Sequence, residues 1–339
     1  MATTYKFIAF KLSRGNSQFS ILNSKFLLLL AFLFFGATTT FAQEEKVEPD
    51  TVKAGVYIIS VHDINFRSKE YTLRFWMWFV YDNPDFDFTR QLDLPNAKDI
   101  EIQETIKDSL DGKAWVIMKM KCTMKQSWSV HDFPFDQQHL KMHIENTLFD
   151  KRKLIFKPDT DGSSMDPEEA IDGWGVSRFA VTESNNDYIT GFGDPSSKNQ
   201  NFSSFDVEID LERNALGMFF KIFLGMYIAF MIATISFTPH PSEMDPRFGL
   251  PVGGLFAAVG NKYIIDSLLP ESSAFTLVDS LHALTFIGIF GILLVSAIAL
   301  RQYDAGNKAL SERTNRRGAR IVISTYVIGN LIFVGLALT

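Results

Sequence analysis

Hydrophobic and polar positions follow two different periods along this chain. Between 71 and 81, Leu73, Phe75, Met77 and Phe79 fall on one side of an extended backbone and Arg74, Trp76 and Trp78 on the other. The same two-residue period recurs at 114–120, 140–144 and 205–211, so each segment predicts a strand with one buried face. Turn signals separate these strands at Asp82-Asn83-Pro84, Asp111-Gly112, 158–162 and 191–195. Many short strands at this spacing predict a β-sandwich.

Beyond 215 the pattern becomes helical and apolar. Segment 216–237 is interrupted only by Lys221, and it, 281–300 and 321–339 are each long enough to cross a bilayer, which takes about 20 residues. A fourth span must lie between 245 and 269. There, 248–259 is apolar but dense in glycine, and Asn261, Lys262 and Asp266 follow. Polar residues at membrane depth face a bundle interior or a water-filled cavity, which places this second segment around a pore. The expected helices are 216–237, 246–268, 275–300 and 318–339.

Charge orients the bundle. Arg301, Lys308, Arg313, Arg316, Arg317 and Arg320 crowd the connector between the third and fourth spans, which is cytoplasmic by the positive-inside rule. The loop at 269–275 carries Glu271 and no Lys or Arg, so the soluble half and the C-terminus are expected outside. A net charge of −6 and the lack of a long basic patch exclude a nucleic-acid partner. The single cysteine, Cys122, allows no intrachain disulfide and no Cys-rich metal cage. At the N-terminus, Lys6, Lys11, Arg14 and Lys25 precede any acid, an apolar core runs over 26–35, and Thr40-Phe41-Ala42 follows. Residues 1–42 therefore read as a signal peptide cleaved after Ala42; the alternative is an uncleaved first helix, for which the apolar core is short. The remainder divides into a soluble domain at 43–215 and a transmembrane domain at 216–339.

Asp132-Phe133-Pro134-Phe135-Asp136-Gln137-Gln138 is similar to the FPFD-x-Q loop signature of pentameric ligand-gated ion channels. Asp111-Gly112-Lys113, Asp172-Gly173-Trp174, the strand at 202–212 ending in Arg213-Asn214, Asp245-Pro246-Arg247 and Leu268-Leu269-Pro270 have counterparts in the same order in prokaryotic members. The resemblance covers nearly all of the chain after the leader. It implies a β-sandwich extracellular domain followed by a four-helix transmembrane bundle, assembled as a homopentamer around a central pore. It further implies a non-enzymatic protein without cofactor, multi-pass in the bacterial inner membrane with its N-terminal domain in the periplasm. Its partners would be four identical subunits, the lipid bilayer, permeant ions and a small-molecule agonist. The chain also departs from the family. The two loop cysteines of the animal receptors fall on Gln126 and Leu140, the proline often found in the first span on Gly225, and Pro251, Gly253, Gly254 and Gly260 occupy the second span.

Counted from Arg247, helical spacing puts Gly249, Gly253, Phe256, Gly260, Tyr263 and Ser267 on one pore-lining face. The resemblance sets Phe256 at a central hydrophobic gate, which five copies would close by dewetting. The alternative has Phe256 packing against a neighbouring helix, with the glycines permitting close helix contact. Pro251 and the glycines would also kink the helix. Glu243 and Asp245 at the inner mouth and Asp266 at the outer one would favour cations; the alternative pairs these acids with Arg247 and Lys262. Phe133, Pro134, Phe135, Asp136, Arg213, Pro270 and the loop at 269–273 are the residues that the resemblance assigns to coupling, and the alternative is a purely structural ion pair. An agonist site would take Glu145 and Thr147 from one loop and Tyr188, Phe192 and Phe202 from a capping hairpin, the aromatics attracting amines. Thr147 stands where relatives can carry an aromatic, and ordinary sheet packing accounts for these residues equally well.

Metal and catalytic readings find little support in the sequence. His139 and His143 share a strand face but lie roughly 13 Å apart, too far for one zinc. Asp159, Asp161, Asp166, Glu168 and Glu169 lack the spacing of a calcium loop and read as a solvated acidic segment. No nucleophile elbow or phosphate-cradling glycine loop is present.

Overall fold

The computed structural model describes residues 48–193, 199–271 and 274–338. The expected leader at 1–42 lies outside the described residues. Among the described residues ten strands form two sheets: β1 (Asp50–Asn65), β2 (Glu70–Tyr81), β3 (Leu92–Asp93), β4 (Ala97–Leu110), β5 (Lys113–Lys125), β6 (Gln137–Asn146), β7 (Leu154–Pro158), β8 (Ser164–Met165), β9 (Trp174–Tyr188) and β10 (Gln200–Arg213). One sheet runs β4-β5-β2-β1-β7, with β8 against β1, and the other β3-β6-β10-β9.

The alternation at 73–79 has its physical cause in β2. Phe75, Met77 and Phe79 are fully buried and face Met120, Met118 and Val116 across the antiparallel β2–β5 ladder. The inner faces of both sheets meet in one core that includes Val56 and Phe75 from the first sheet, Leu140 and Phe205 from the second. The β4–β5 turn, Asp111-Gly112, has positive φ at both residues (52° and 82°), the geometry that a two-residue hairpin demands and that an Asp-Gly pair supplies.

Four helices follow, each long and apolar enough to cross a membrane: α1 (Ala215–Ile235), α2 (Met244–Asp266), α3 (Leu277–Asp304) and α4 (Lys308–Ala337). Their bounds correct the sequence expectation at the third connector. The helix expected at 275–300 runs to Asp304, the one expected at 318–339 begins at Lys308, and only Ala305, Gly306 and Asn307 separate them. Gly306, at φ 82°, ends α3, and the Lys, Arg, Glu and Ala that follow are strong helix formers. Arg313, Arg316, Arg317 and Arg320 thus ride on α4 rather than in a loop. The start of α3 is fixed by a capping box, in which Thr276 Oγ1 accepts from Asp279 N at 3.3 Å and Asp279 Oδ2 accepts from Thr276 N at 2.8 Å.

Candidate functional site

Three regions carry the candidate residues: the faces of α2, the junction between the β domain and the helices, and a cleft at the far end of the second sheet.

Helix α2 is continuous with Pro251 inside it, and its two faces differ completely. Arg247, Pro251, Gly254, Ala258 and Ile265 are buried, with Asn261 half-buried in the same row. This 4-3-4-3-4 ladder packs on α1 and α3. Gly249, Gly253, Phe256, Gly260, Tyr263 and Ser267 repeat the ladder two residues later, about 200° around the helix. All six are exposed, Phe256 by 72% and Tyr263 by 77%. A Cβ added at Gly249, Gly253 or Gly260 would meet open space. The close helix contact is made instead by Gly254, where a Cβ would lie 2.7 Å from the Ala229 carbonyl oxygen of α1.

The buried face is held by polar contacts as well. Asn261 donates through Nδ2 to the Ile222 carbonyl of α1 (3.0 Å) and meets His282 Nε2 of α3 through Oδ1 (3.1 Å). Gly225 leaves room for this amide, since a Cβ there would stand 3.3 Å from Asn261 Nδ2. Arg247 is fully buried and donates to the Pro239 carbonyl (2.9 Å) and the Asn315 side chain, fastening the α1–α2 turn to α4. Glu243 and Asp245 are exposed beside that turn. Asp266 pairs with Lys262, which also reaches Asp279 at 2.8 Å, so α2 is tied to α3 at this end.

At the junction, Asp136 and Arg213 form a two-pronged ion pair, Nε to Oδ1 at 2.7 Å and a terminal nitrogen to Oδ2 at 3.0 Å. Both side chains are nearly excluded from solvent. The guanidinium also lies 4.0 Å from the Trp174 ring centroid and 4.9 Å from those of Phe66 and Phe133, so three π faces surround a cation whose fourth side meets a carboxylate. Buried Gln138 explains the last position of the loop signature: its amide donates to Asp136 and to the Ser129 carbonyl, and its oxygen accepts from Ser129 N. At the positions where the animal receptors close this loop with a disulfide, the Gln126 amide donates to the His139 carbonyl at 3.0 Å and Leu140 is buried.

The same loop touches the helices. Phe135 packs on Phe219 of α1 (ring centroids 5.6 Å), Leu277 N at the start of α3 donates to the His131 carbonyl (2.8 Å), and Pro270 is buried at the end of the α2 segment. Beside Pro134 the Phe133–Pro134 peptide is cis. The hydrophobic core is accordingly continuous from the sheets into the upper helices, through Ile222, Phe223, Ile265 and Leu281.

The cleft gathers Glu145, Thr147, Tyr188, Phe192 and Phe202 around a volume of about 370 Å³, together with Asp93, Asn146 and Gln200. Residues from β3, β6, β9 and β10 converge because those strands are neighbours in the second sheet. Tyr188 packs at 5.6 Å from Phe192 and edge-on at 5.7 Å from Phe202. Glu145 is 3% exposed and accepts from the Tyr188 hydroxyl (3.0 Å) and from the Asn186 amide. Burial pushes its carboxyl above the usual range, against these two hydrogen bonds and with help from Asp93. Asp93 and Gln200 carry no local signal in the sequence and line the cleft only through strand pairing, and Asn186, which does not line it, holds Glu145 in the same way.

The two histidines of β6 stand apart, His139 against Asp210 and His143 against Asp206 at 2.8 Å. Burial would raise the Asp206 carboxyl, but His143, Ser184, Ser204 and Lys141 outweigh it and hold the group well below the carboxylate range. Among the described residues no three His, Cys, Asp or Glu side chains are grouped so as to hold a metal. Compared with known protein families and with curated proteins, the chain matches none.

Proposed function

We propose that the chain is one subunit of a pentameric ligand-gated ion channel, cation-selective and opened by a small molecule, proton or divalent ion acting on the β domain. The observation that carries this reading is the division of α2. One face is fully used within the chain, and the opposite face presents three bare glycines, two exposed aromatic rings and a serine. One such helix cannot enclose a conduit, whereas a symmetric ring lets each chain contribute one. Phe256, the largest side chain near the middle of that face, is then the hydrophobic gate.

Selectivity for cations rests on Glu243 and Asp245, because Arg247 is withdrawn into the bundle and Asp266 is compensated by Lys262. The cleft offers two carboxylates and three aromatic rings, with no lysine or arginine among the residues that line it, and this suits a small organic cation. The Asp136–Arg213 pair, with Phe135 on α1 and His131 on α3, is the mechanical link between cleft and pore. In this reading four identical subunits, a bacterial inner membrane and a periplasmic β domain complete the assembly, and no catalysis, cofactor or nucleic acid is involved.

A native mass measurement of the purified chain in detergent tests the assembly directly. Five chains per particle are expected, and a stable monomer or dimer would overturn the reading. Titrating primary amines against wild type and Glu145→Gln by thermal shift tests the cleft; an amine that stabilises both equally does not bind there. A pentamer that binds ligand but never conducts would be a membrane-anchored sensor on the same fold, the alternative that the glycine density of α2, taken without the division of its faces, motivates.

A further inference from the structure

Arg247 is a buried cation held without a buried anion. Its side chain is fully excluded from solvent, and among the described residues no carboxylate pairs with it. Two neutral acceptors hold it instead, the Pro239 carbonyl at 2.9 Å and Asn315 Oδ1 at 2.5 Å, while its Nε has no partner. Asn315 is fixed at its other end as well, where Nδ2 donates to the Phe237 carbonyl at 2.9 Å. Phe237 and Pro239 follow the C-terminal end of α1, where the helix dipole is negative and suits a cation. The amide thus serves once as acceptor and once as donor, a pairing that neither a carboxylate nor an apolar side chain can supply.

Helix α4 brings Asn315 to this place through its neighbours. Ser311 Oγ donates to the Ala299 carbonyl (2.6 Å) and Thr314 to the Gln302 side chain (2.7 Å), both on α3. Gly318 lies so close to Val295 of α3 that a methyl group there would collide with it. Ser311, Asn315 and Gly318 repeat at four and three residues, so one face of α4 is locked on the bundle. The consequence falls on the inner mouth. Glu243 and Asp245 are exposed just before Arg247, and a helical side chain leans toward the N-terminus of its helix, so a released Arg247 would run toward them. Burying a guanidinium with incomplete hydrogen bonds is costly, and loss of the Asn315 acceptor therefore favours release. A free guanidinium at the mouth lies within a Debye length, roughly 8–10 Å, of both acids and halves the net negative charge that each chain brings there.

We infer that Asn315 sets the charge of the inner mouth: by holding Arg247 inside the bundle it leaves Glu243 and Asp245 uncompensated, and so fixes the preference for cations from a helix that lines no part of the conduit. The inference rests on the channel reading given above. Asn315 is a positioning residue that acts through Arg247, and the ions meet the two acids alone.

The test records reversal potentials of the full chain in planar bilayers under a gradient of one salt. The same purified particles are labelled with phenylglyoxal, an arginine reagent, and residue 247 is read by peptide mass. Wild type should prefer cations and leave Arg247 unlabelled. N315L sets an apolar side chain against the guanidinium, so Arg247 should become labelled. Five released charges act together, and with opposite sign on cation and anion, so the cation-to-anion permeability ratio should fall on the order of tenfold. N315D offers the guanidinium a carboxylate and should keep both wild-type results. R247Q/N315L has no cation to release and should return to the wild-type ratio, which a general loosening of the bundle would not do. A wild-type ratio in N315L, a double variant as low as N315L, or labelling of Arg247 in wild type would overturn the inference. Folded wild-type particles that stay silent would instead remove the channel reading on which the selectivity claim rests, and the labelling arm would then decide whether Asn315 holds Arg247.

Discussion

Replacing Asp136 by Asn leaves the Arg213 guanidinium buried without its carboxylate. With both contacts at or below 3.0 Å, the charge centres are about 4 Å apart. At an effective dielectric near 20 their attraction is roughly 4 kcal/mol. The three aromatic faces are the same in both forms, but the asparagine amide keeps one hydrogen-bond acceptor for the guanidinium, which recovers about 1 kcal/mol of the loss. A net destabilisation of about 3 kcal/mol is expected, within the range for breaking one partner of a buried pair. For the purified full chain this corresponds to a fall in Tm on the order of 6–12 °C. The reasoning has a sharper consequence in the double variant Asp136→Leu/Arg213→Met, which removes both charges and keeps apolar volume beside Phe66, Phe133 and Trp174. It should melt above Asp136→Asn, although it lacks more contacts, because no unpaired cation stays buried. A thermal-melt series of wild type, the single variants and the double variant measures this. An Asp136→Asn melt within about a degree of wild type, or a double variant that melts lower than either single one, would refute the argument.

Other consequences are narrower. Phe256→Ala should raise the current through closed channels, and an unchanged basal leak in bilayers would remove Phe256 from the gate. Gly254→Ala should cost about 1–3 kcal/mol by forcing a methyl against the Ala229 carbonyl. Gly253→Ala, one residue away in open space, should fold as well as wild type, and equal loss in both variants by thermal melt would mean the two faces of α2 are assigned wrongly. The raised Glu145 carboxyl favours its protonated form in the folded chain. Its stabilising contribution is therefore full below the ordinary value of 4.5 and is lost as pH rises through the higher folded value. As pH rises from the ordinary value of 4.5, Glu145→Gln should show a flatter dependence of Tm on pH than wild type, and parallel curves would contradict the cause given for the shift.

What the sequence revealed depended on how strongly each face was buried. Strand β2 was legible because its alternating side chains fill the core, and α1 because Lys221 is the one charge along it. Strand β4 is harder to read: nearly every residue along it is exposed, Ile100, Ile102, Ile106 and Leu110 included, and acids and lysines fill most of the remaining positions, so no buried face marks it. Strand β1 is masked differently: Val52, Ala54, Val56 and Ile58 alternate with Lys53, Gly55 and Tyr57, and buried Gly55, over which Trp78 folds, blurs the contrast between its two faces. The arginines of α4 lie outside the apolar run that marks the span in the sequence, yet the polar turns that carry them are still helical. At the cleft, the five residues named from sequence line one cavity, but Asp93 joins them, and Asn186 holds Glu145, through pairings between strands distant in sequence, which no local pattern encodes. At the junction, Asp136 and Arg213 were legible as a pair, while the Phe66 and Trp174 faces around the guanidinium were not.

The most direct test of the central claim is a current recording from the purified chain in planar bilayers under a gradient of one salt, with primary amines, pH and Ca²⁺ varied in turn. The account predicts a stimulus-dependent current whose reversal potential moves toward the cation equilibrium and shifts back when Glu243 and Asp245 are both replaced by neutral residues. Silence under every condition, from particles verified as folded pentamers, would contradict it.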